Sequence, residues 1–242
     1  MRLKKYESDA AQSYSFGVFP TLELLSHQPG SVREVLLSSA GERNKGVARL
    51  REACAAAHIP LNTDDKLIAR IAPKENTYAV GVFQKYTTAL RARANHVVLV
   101  NPSDMGNLGT ILRTMLGFGF VDLALIRPAA DIFDPRVVRS SMGALFQMRF
   151  AYFDSFAAYR ASNRRQCYPF MTNGRQPLNE VRFEPPFALV FGSESSGLPD
   201  SFHDEGISVR IPHTETIDSL NLAVAMGIAL YRAANPAIPP TA

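Results

Sequence analysis

Between Thr21 and Phe83 the apolar positions change spacing several times. Leu22 and Leu25 fit one amphipathic turn, Glu34–Leu37 reads as a strand, and Val47, Leu50 and Cys54 recur at helical spacing. His58–Leu61 and Tyr78–Phe83 predict two further short strands. Asp64 stands where a cap belongs, ahead of a helix carrying Leu67, Ile68 and Ile71. These alternations predict a small α/β unit. From Gln84 to Asn95 the pattern lapses into polar and basic positions, Lys85, Arg91 and Arg93 among them, which predicts a linker. The expected domains are therefore 1–90 and 91–242.

A second α/β pattern starts at His96. Val97–Val100 and Val121–Ile126 predict strands on either side of a helix at Asn107–Phe118. Phe170–Thr172, Phe187–Phe191 and Ile207–Ile211 follow as short apolar runs. Uniformly apolar strands of this length are what a parallel sheet covered on both faces requires. A last helix is expected over Ser219–Ala234, with Leu220, Val224, Ile228 and Tyr231 on one stripe, and the Pro-rich tail Asn235–Ala242 is expected to be loose.

At 242 residues with 46% hydrophobic content, the chain suffices for one large or two ordinary domains with real cores. Met1–Ala10 mixes Lys4, Lys5, Glu7 and Asp9, unlike a signal peptide, and no run approaches the roughly 18 apolar residues of a membrane span. The expected address is the cytoplasm, with no membrane partner. Cys54 and Cys167 belong to no CxxC cluster and read as buried thiols. The net charge of +4 is compatible with a polyanionic partner without requiring one. Residues 1–90 carry 12 Lys/Arg against 9 Asp/Glu, and the 14 basic residues after them are all arginine. Arginine binds phosphate bidentately and stacks on bases, which suits an RNA-facing surface, although codon bias gives the same preference.

His96, His203 and His213 are single, and Asp131, Asp134 and Asp218 do not pair with them at ligand spacing, so no metal site is expected. The order Gly192-Ser193-Glu194-Ser195 is not GxSxG, and neither GxGxxG nor a Walker lysine occurs. These absences argue against a serine hydrolase, a Rossmann nucleotide enzyme and a P-loop NTPase.

Three segments remain: Asn107-Leu-Gly-Thr-Ile-Leu-Arg113, Phe191-Gly-Ser-Glu-Ser-Ser-Gly-Leu198 and Ile211-Pro-His-Thr-Glu-Thr-Ile-Asp-Ser-Leu-Asn221. In this order, the last two each after an apolar strand, they resemble the three signature motifs of the SpoU/TrmH family of the SPOUT superfamily. These are knotted methyltransferases acting on RNA ribose 2'-hydroxyls. Such a transfer needs a sulfonium donor, a group or field that lowers the hydroxyl pKa, and a grip on the neighbouring phosphate. Arg113, six positions after Asn107 on a helix, is too weak a base by itself and suits a phosphate clamp or an oxyanion stabiliser; if the motif stood alone, a surface arginine on an amphipathic helix would be the preferred reading. Glu194 can either hold Arg113 or hydrogen-bond locally. Asp218–Asn221 supplies good N-cap residue types for the last helix.

The resemblance implies a catalytic set of Asn107, Arg113, Glu194, Ser219 and Asn221, with Arg113 activating the 2'-hydroxyl. It implies that Thr172, Gly192, Ile211, Ser219 and Leu220 bind S-adenosylmethionine, largely through backbone groups. Ser195 and Ser196 stand where family members commonly carry Gly or Glu. Asp131–Ala144 also resembles a family stretch leading into a helix, in which Arg136 and Arg139 either contact RNA or are surface charges. The implied fold is α/β: a C-terminal parallel-sheet domain with a deep trefoil knot, preceded by a small ribosomal-protein-like RNA-binding domain. The family acts as a homodimer, and the extra N-terminal domain favours ribosomal RNA as substrate. Transfer RNA, or RNA binding without catalysis, are the alternatives; base methylation is disfavoured because the Ser-Leu-Asn and Asn-Leu-Gly-x-x-x-Arg motifs belong to the ribose-modifying branch.

Overall fold

The computed structural model describes residues 3–72 and 77–235, so the tail expected to be loose lies outside the described residues beyond Asn235. The first elements are β1 (Gln12–Phe16), α1 (Val18–His27), β2 (Val32–Leu37), α2 (Lys45–Ala56), β3 (Leu61–Thr63), α3 (Asp65–Ile71) and β4 (Ala79–Gln84). Next come β5 (His96–Val100), α4 (Met105–Gly117), β6 (Asp122–Ile126), α5 (Pro135–Ser140), β7 (Arg149–Phe153) and α6 (Phe156–Ser162). The chain closes with β8 (Gln166–Pro169), β9 (Gln176–Pro177), β10 (Phe187–Phe191), β11 (Val209–Arg210) and α7 (Leu222–Ala234).

Two compact units result. One holds the residues up to Tyr86 together with Asp131–Gln147, and the other holds Thr87–Ala130 and the chain from Met148. In the first, a four-stranded sheet of order β1-β4-β2-β3 is antiparallel except for the β2–β3 pair. Alternating strand residues split between two cores. Tyr14, Leu36, Val80 and Val82 pack with Ile68 and Ile71 of α3, whereas Val35, Leu37 and Ala79 pack with Leu25 of α1 and Val47, Leu50 and Cys54 of α2. Asp64 caps α3 by accepting the Leu67 amide at 2.9 Å, as expected. Asp131–Gln147 falls in the span expected for the second domain, yet it groups with the first unit, for reasons visible in its hydrogen bonds. Ser13 donates to the Phe133 carbonyl at 2.5 Å, Lys85 pairs with Asp131 at 2.7 Å, and Gln28 donates to the Phe146 carbonyl at 2.9 Å.

The second unit is built on a five-stranded, wholly parallel sheet of order β7-β6-β5-β10-β8. Every residue of β5, β6 and β10 is buried, the expected result of covering both faces. On one face Val98, Ala124 and Val190 pack with Phe156 and Tyr159 of α6. On the other, α4 and α7 pack together through buried Leu112, Met115, Met226 and Leu230, and α7 reaches β10. Each such buried Leu or Met contributes about 1.5–3 kcal/mol.

Two expected strands of this unit change place. Ile207–Ile211 contributes only β11, which pairs with β9; just before it the Ile207 amide donates to the Cys167 carbonyl of the edge strand β8 at 3.1 Å. Phe170–Thr172 leaves the sheet: the Phe170 amide still donates to Val190 O at 2.8 Å, but the Met171 amide turns to Val209 O at 2.9 Å.

At the amino edge of the sheet the linker is tied down. The Arg91 amide and guanidinium both donate to buried Asp122, and buried His96 bonds Tyr159 Oη and the Arg91 carbonyl, each at 3.0 Å. Burial holds the His96 pKa down at about 4, so the ring is neutral at pH 7.

Candidate active site

Three loops converge at the carboxyl edge of the parallel sheet, where α/β proteins place ligands. They follow β8, β10 and β11, and they enclose a cavity of about 420 Å³, within the usual size range of small-molecule sites. Phe170, Phe191, Leu198 and Leu220 supply apolar wall, while Asn173, Glu194, Asp200 and Ser219 bring polar groups. The Phe170 and Phe191 rings stack at 4.5 Å, which firms the inner wall.

The β10 loop turns back on itself so tightly that only glycine fits at 192. A Cβ there would overlap the backbone of Gly197 and Leu198. Gly197, at φ +64, donates its amide to Ser193 O at 3.1 Å, and Ser193 Oγ meets Ser196 Oγ at 2.8 Å. Backbone therefore forms this side of the cavity.

Glu194 resolves the choice left open by the sequence. Its carboxylate accepts from the Ser103 amide at 3.2 Å, Ser103 Oγ at 3.1 Å and the Asp104 amide at 3.2 Å, and does not hold Arg113. Glu194 thus ties the β10 loop to the start of α4. Asp104 caps that helix by accepting the Asn107 amide at 2.6 Å.

Asn221 is the N-cap of α7. Its Oδ1 accepts from the amides of Ala223 at 2.9 Å and Val224 at 3.3 Å, and its Nδ2 donates to Asn107 Oδ1 at 3.2 Å. One side chain therefore caps the last helix and joins it to the helix of the first motif.

Thr172, Gly192, Ile211, Ser219 and Leu220 all line the cavity, as does Glu194. Asn107 and Asn221 meet beside it. Arg113 lies two turns along α4, exposed and without a hydrogen bond or ion pair among the described residues. Ser103 and Asp104 escaped the sequence reading, although an Asp three positions before Asn107 is a helix-start signal in itself. Of the histidines, His213 bonds Ile211 O and His203 bonds Ser208 Oγ, each at 2.8 Å. Among the described residues no cluster of His, Cys, Asp or Glu is arranged to hold a metal, and no helix is long and apolar enough to cross a membrane.

A parallel sheet carrying a loop-built cavity at its carboxyl edge defines the class of α/β proteins that hold a small molecule at that edge. Within that class the chain belongs to the SpoU rRNA Methylase family, which matches residues 94–231. It is 33% identical to an uncharacterized tRNA/rRNA methyltransferase of Synechocystis sp., over 57% of this chain and 52% of that protein. It therefore spans about half the length of that relative. A tRNA (cytidine(34)-2'-O)-methyltransferase of Beijerinckia indica is 33% identical over 57% of this chain and 88% of its own length. The crystal structure of the SpoU methyltransferase AviRb from Streptomyces viridochromogenes, in complex with the cofactor AdoMet, superposes with a TM-score of 0.79 at 24% identity. That match covers 94% of this chain and 91% of AviRb, and it establishes likeness of fold.

Proposed function

We propose that this protein transfers the methyl group of S-adenosylmethionine to a ribose 2'-hydroxyl of RNA. The observation that carries the reading is the Asn107–Asn221 hydrogen bond, which fastens the Arg113 helix to the third loop at the rim of the cavity. The residues present fit the cofactor: the cavity has apolar wall for an adenosyl group, a glycine turn admitting close backbone approach, and polar groups for the amino-acid moiety. When bound, the cofactor supplies an electrophilic methyl group.

Arg113 is free to bind the phosphate beside the reacting ribose and to stabilise the developing 2'-oxyanion, which lowers the hydroxyl pKa. Ser219, exposed at the mouth of the cavity, and the paired Asn107 and Asn221 orient the ribose. Glu194 acts as a positioning residue, since its oxygens are engaged at the start of α4.

In this reading the unit of residues up to Tyr86 with Asp131–Gln147 is a ribosomal-protein-like RNA-binding domain, and the unit of Thr87–Ala130 with the chain from Met148 is the methyltransferase domain, in the cytoplasm. Ribosomal RNA is the favoured substrate, because the Beijerinckia transfer-RNA enzyme aligns over 88% of its own length with only 57% of this chain. A trefoil knot in the C-terminal segment belongs to this reading through membership of the SpoU family. A homodimer is supported by Val224, Ile228 and Tyr231, which leave an apolar stripe of α7 exposed.

Transfer of labelled methyl to unmodified ribosomal and transfer RNA transcripts, by wild type and Arg113→Ala, tests the proposal. Label entering ribosomal RNA and lost in the variant is expected. Transfer to neither RNA overturns it.

A further inference from the structure

The first unit carries an exposed apolar pair that no role described so far employs. Phe19, in the first turn of α1, is 51% exposed, and Met142, just past α5, is 40% exposed. Gly143 brings them into one neighbourhood: a Cβ on it would lie 2.5 Å from Glu23 Cβ and 3.5 Å from Pro20 Cα, so the Met142–Gly143 corner sits on α1 next to Phe19. Gln28, donating to Phe146 O at 2.9 Å, and Gln147, donating to Glu23 Oε2 at 3.2 Å, hold the corner from its far side.

Met142 adopts φ +52, a left-handed conformation that costs an ordinary side chain about 1 kcal/mol and that glycine or asparagine would take with less strain. The corner thus spends strain to present a flexible apolar side chain to solvent.

Cations flank the pair on both sides. Arg139 lies one helical turn before Met142 and is exposed. At the other end a Cβ on Gly46 would come 2.5 Å from Val18 Cγ1, which sets the first turn of α2 against the start of α1. Arg43, Lys45 and Arg49 are exposed around that turn. None of these four cations has an ion pair among the described residues. Of the nearby carboxylates, Glu23 is engaged by His27 at 3.5 Å and by Gln147. That leaves Glu42, and Glu52 one turn beyond Arg49, as exposed carboxylates beside the patch.

We infer that this surface binds an unpaired segment of RNA, one base stacking on Phe19 and Met142 while Arg139, Lys45 and Arg43 hold the flanking phosphates. An aromatic platform between cations is the arrangement by which proteins take single-stranded nucleic acid. The excess of unpaired positive charge favours a polyanion over a second copy of this basic chain. The inference rests on the RNA-methyltransferase reading and adds to it where the substrate is gripped away from the reacting ribose.

The test uses the full chain and fluorescein-labelled single-stranded and duplex RNA 12-mers, followed by anisotropy across a salt series. Phe19→Ala should weaken single-strand binding by about tenfold or more and Phe19→Trp should restore it, because stacking rather than bulk carries the contact. Lys45→Ala and Arg139→Ala should each reduce the slope of log affinity against log salt by about one. Thermal melting checks that the exposed-site variants fold. Unchanged affinity in Phe19→Ala, with methyl transfer intact in the same preparation, overturns the patch and leaves the enzymatic reading standing. Failure of the wild type both to bind RNA and to methylate it overturns the two together. A fall in sedimenting mass on Phe19→Ala marks a contact between copies and also overturns the inference.

Discussion

Asn221 carries two separable duties, and shortening it separates them. Asn221→Ala removes the cap over the Ala223 and Val224 amides, worth about 1 kcal/mol. It also removes the bond to Asn107, worth roughly 0.5–1 kcal/mol at an exposed site. The expected loss is about 2 kcal/mol, or roughly 5 °C in the melting of a unit of this size. Asn221→Ser keeps an oxygen suited to the cap but has no amide to reach Asn107, so it should lose only the roughly 0.5–1 kcal/mol of that bond. Methyl transfer should nonetheless fall about tenfold or more in both variants, because the Arg113 helix is no longer fastened to the third loop. Asn107→Ala should copy the serine variant. Urea unfolding with a constant slope gives the stabilities, and single-turnover transfer gives the rates. Wild-type transfer by Asn221→Ser would refute the reasoning, leaving the side chain a cap and nothing more.

His96 predicts an acid dependence of stability. Its folded pKa of about 4 lies below the ordinary 6.5, so the contribution of the neutral buried ring is fully present above about pH 6.5 and declines as the pH falls towards 4, costing about 3 kcal/mol below both values. Urea midpoints of His96→Gln should lose that part of the acid slope, and an unaltered slope would assign it elsewhere. Gly192→Ala forces the β10 loop off Gly197 and should lower S-adenosylmethionine affinity about tenfold or more by calorimetry; wild-type affinity would show that the turn tolerates a Cβ. Val224→Asp places a charge in the exposed α7 stripe and should halve the sedimenting mass, whereas an unchanged dimer would locate its interface elsewhere.

Period-based reading succeeds where local pattern and burial agree. The buried runs of β5, β6 and β10 and the Asp64 cap were legible for that reason, whereas the stripe expected in α7 is exposed at Val224, Ile228 and Tyr231, and Met226 and Leu230 are buried instead. It fails where distant partners decide. His58, at φ +55, closes α2 with a left-handed turn, so the expected strand begins only at Leu61. Ile207–Ile211 has a strand pattern, but only Val209–Arg210 forms a strand, paired with the distant Gln176–Pro177. The affiliation of Asp131–Gln147 depends on bonds such as Ser13 to Phe133, spanning 120 positions, which no local spacing encodes. In the site, the residue types were readable from the motifs, but the partner of Glu194 was not, because Ser103 and Asp104 reach it from the end of another strand.

The central claim concerns where the methyl group goes. Wild-type protein, labelled S-adenosylmethionine and unmodified ribosomal RNA, followed by complete alkaline digestion, decide it, since a 2'-O-methyl removes the hydroxyl that drives cleavage of the next phosphodiester. The account predicts label in an alkali-resistant dinucleotide. Label in ordinary mononucleotides would mean methylation of a base and would contradict it.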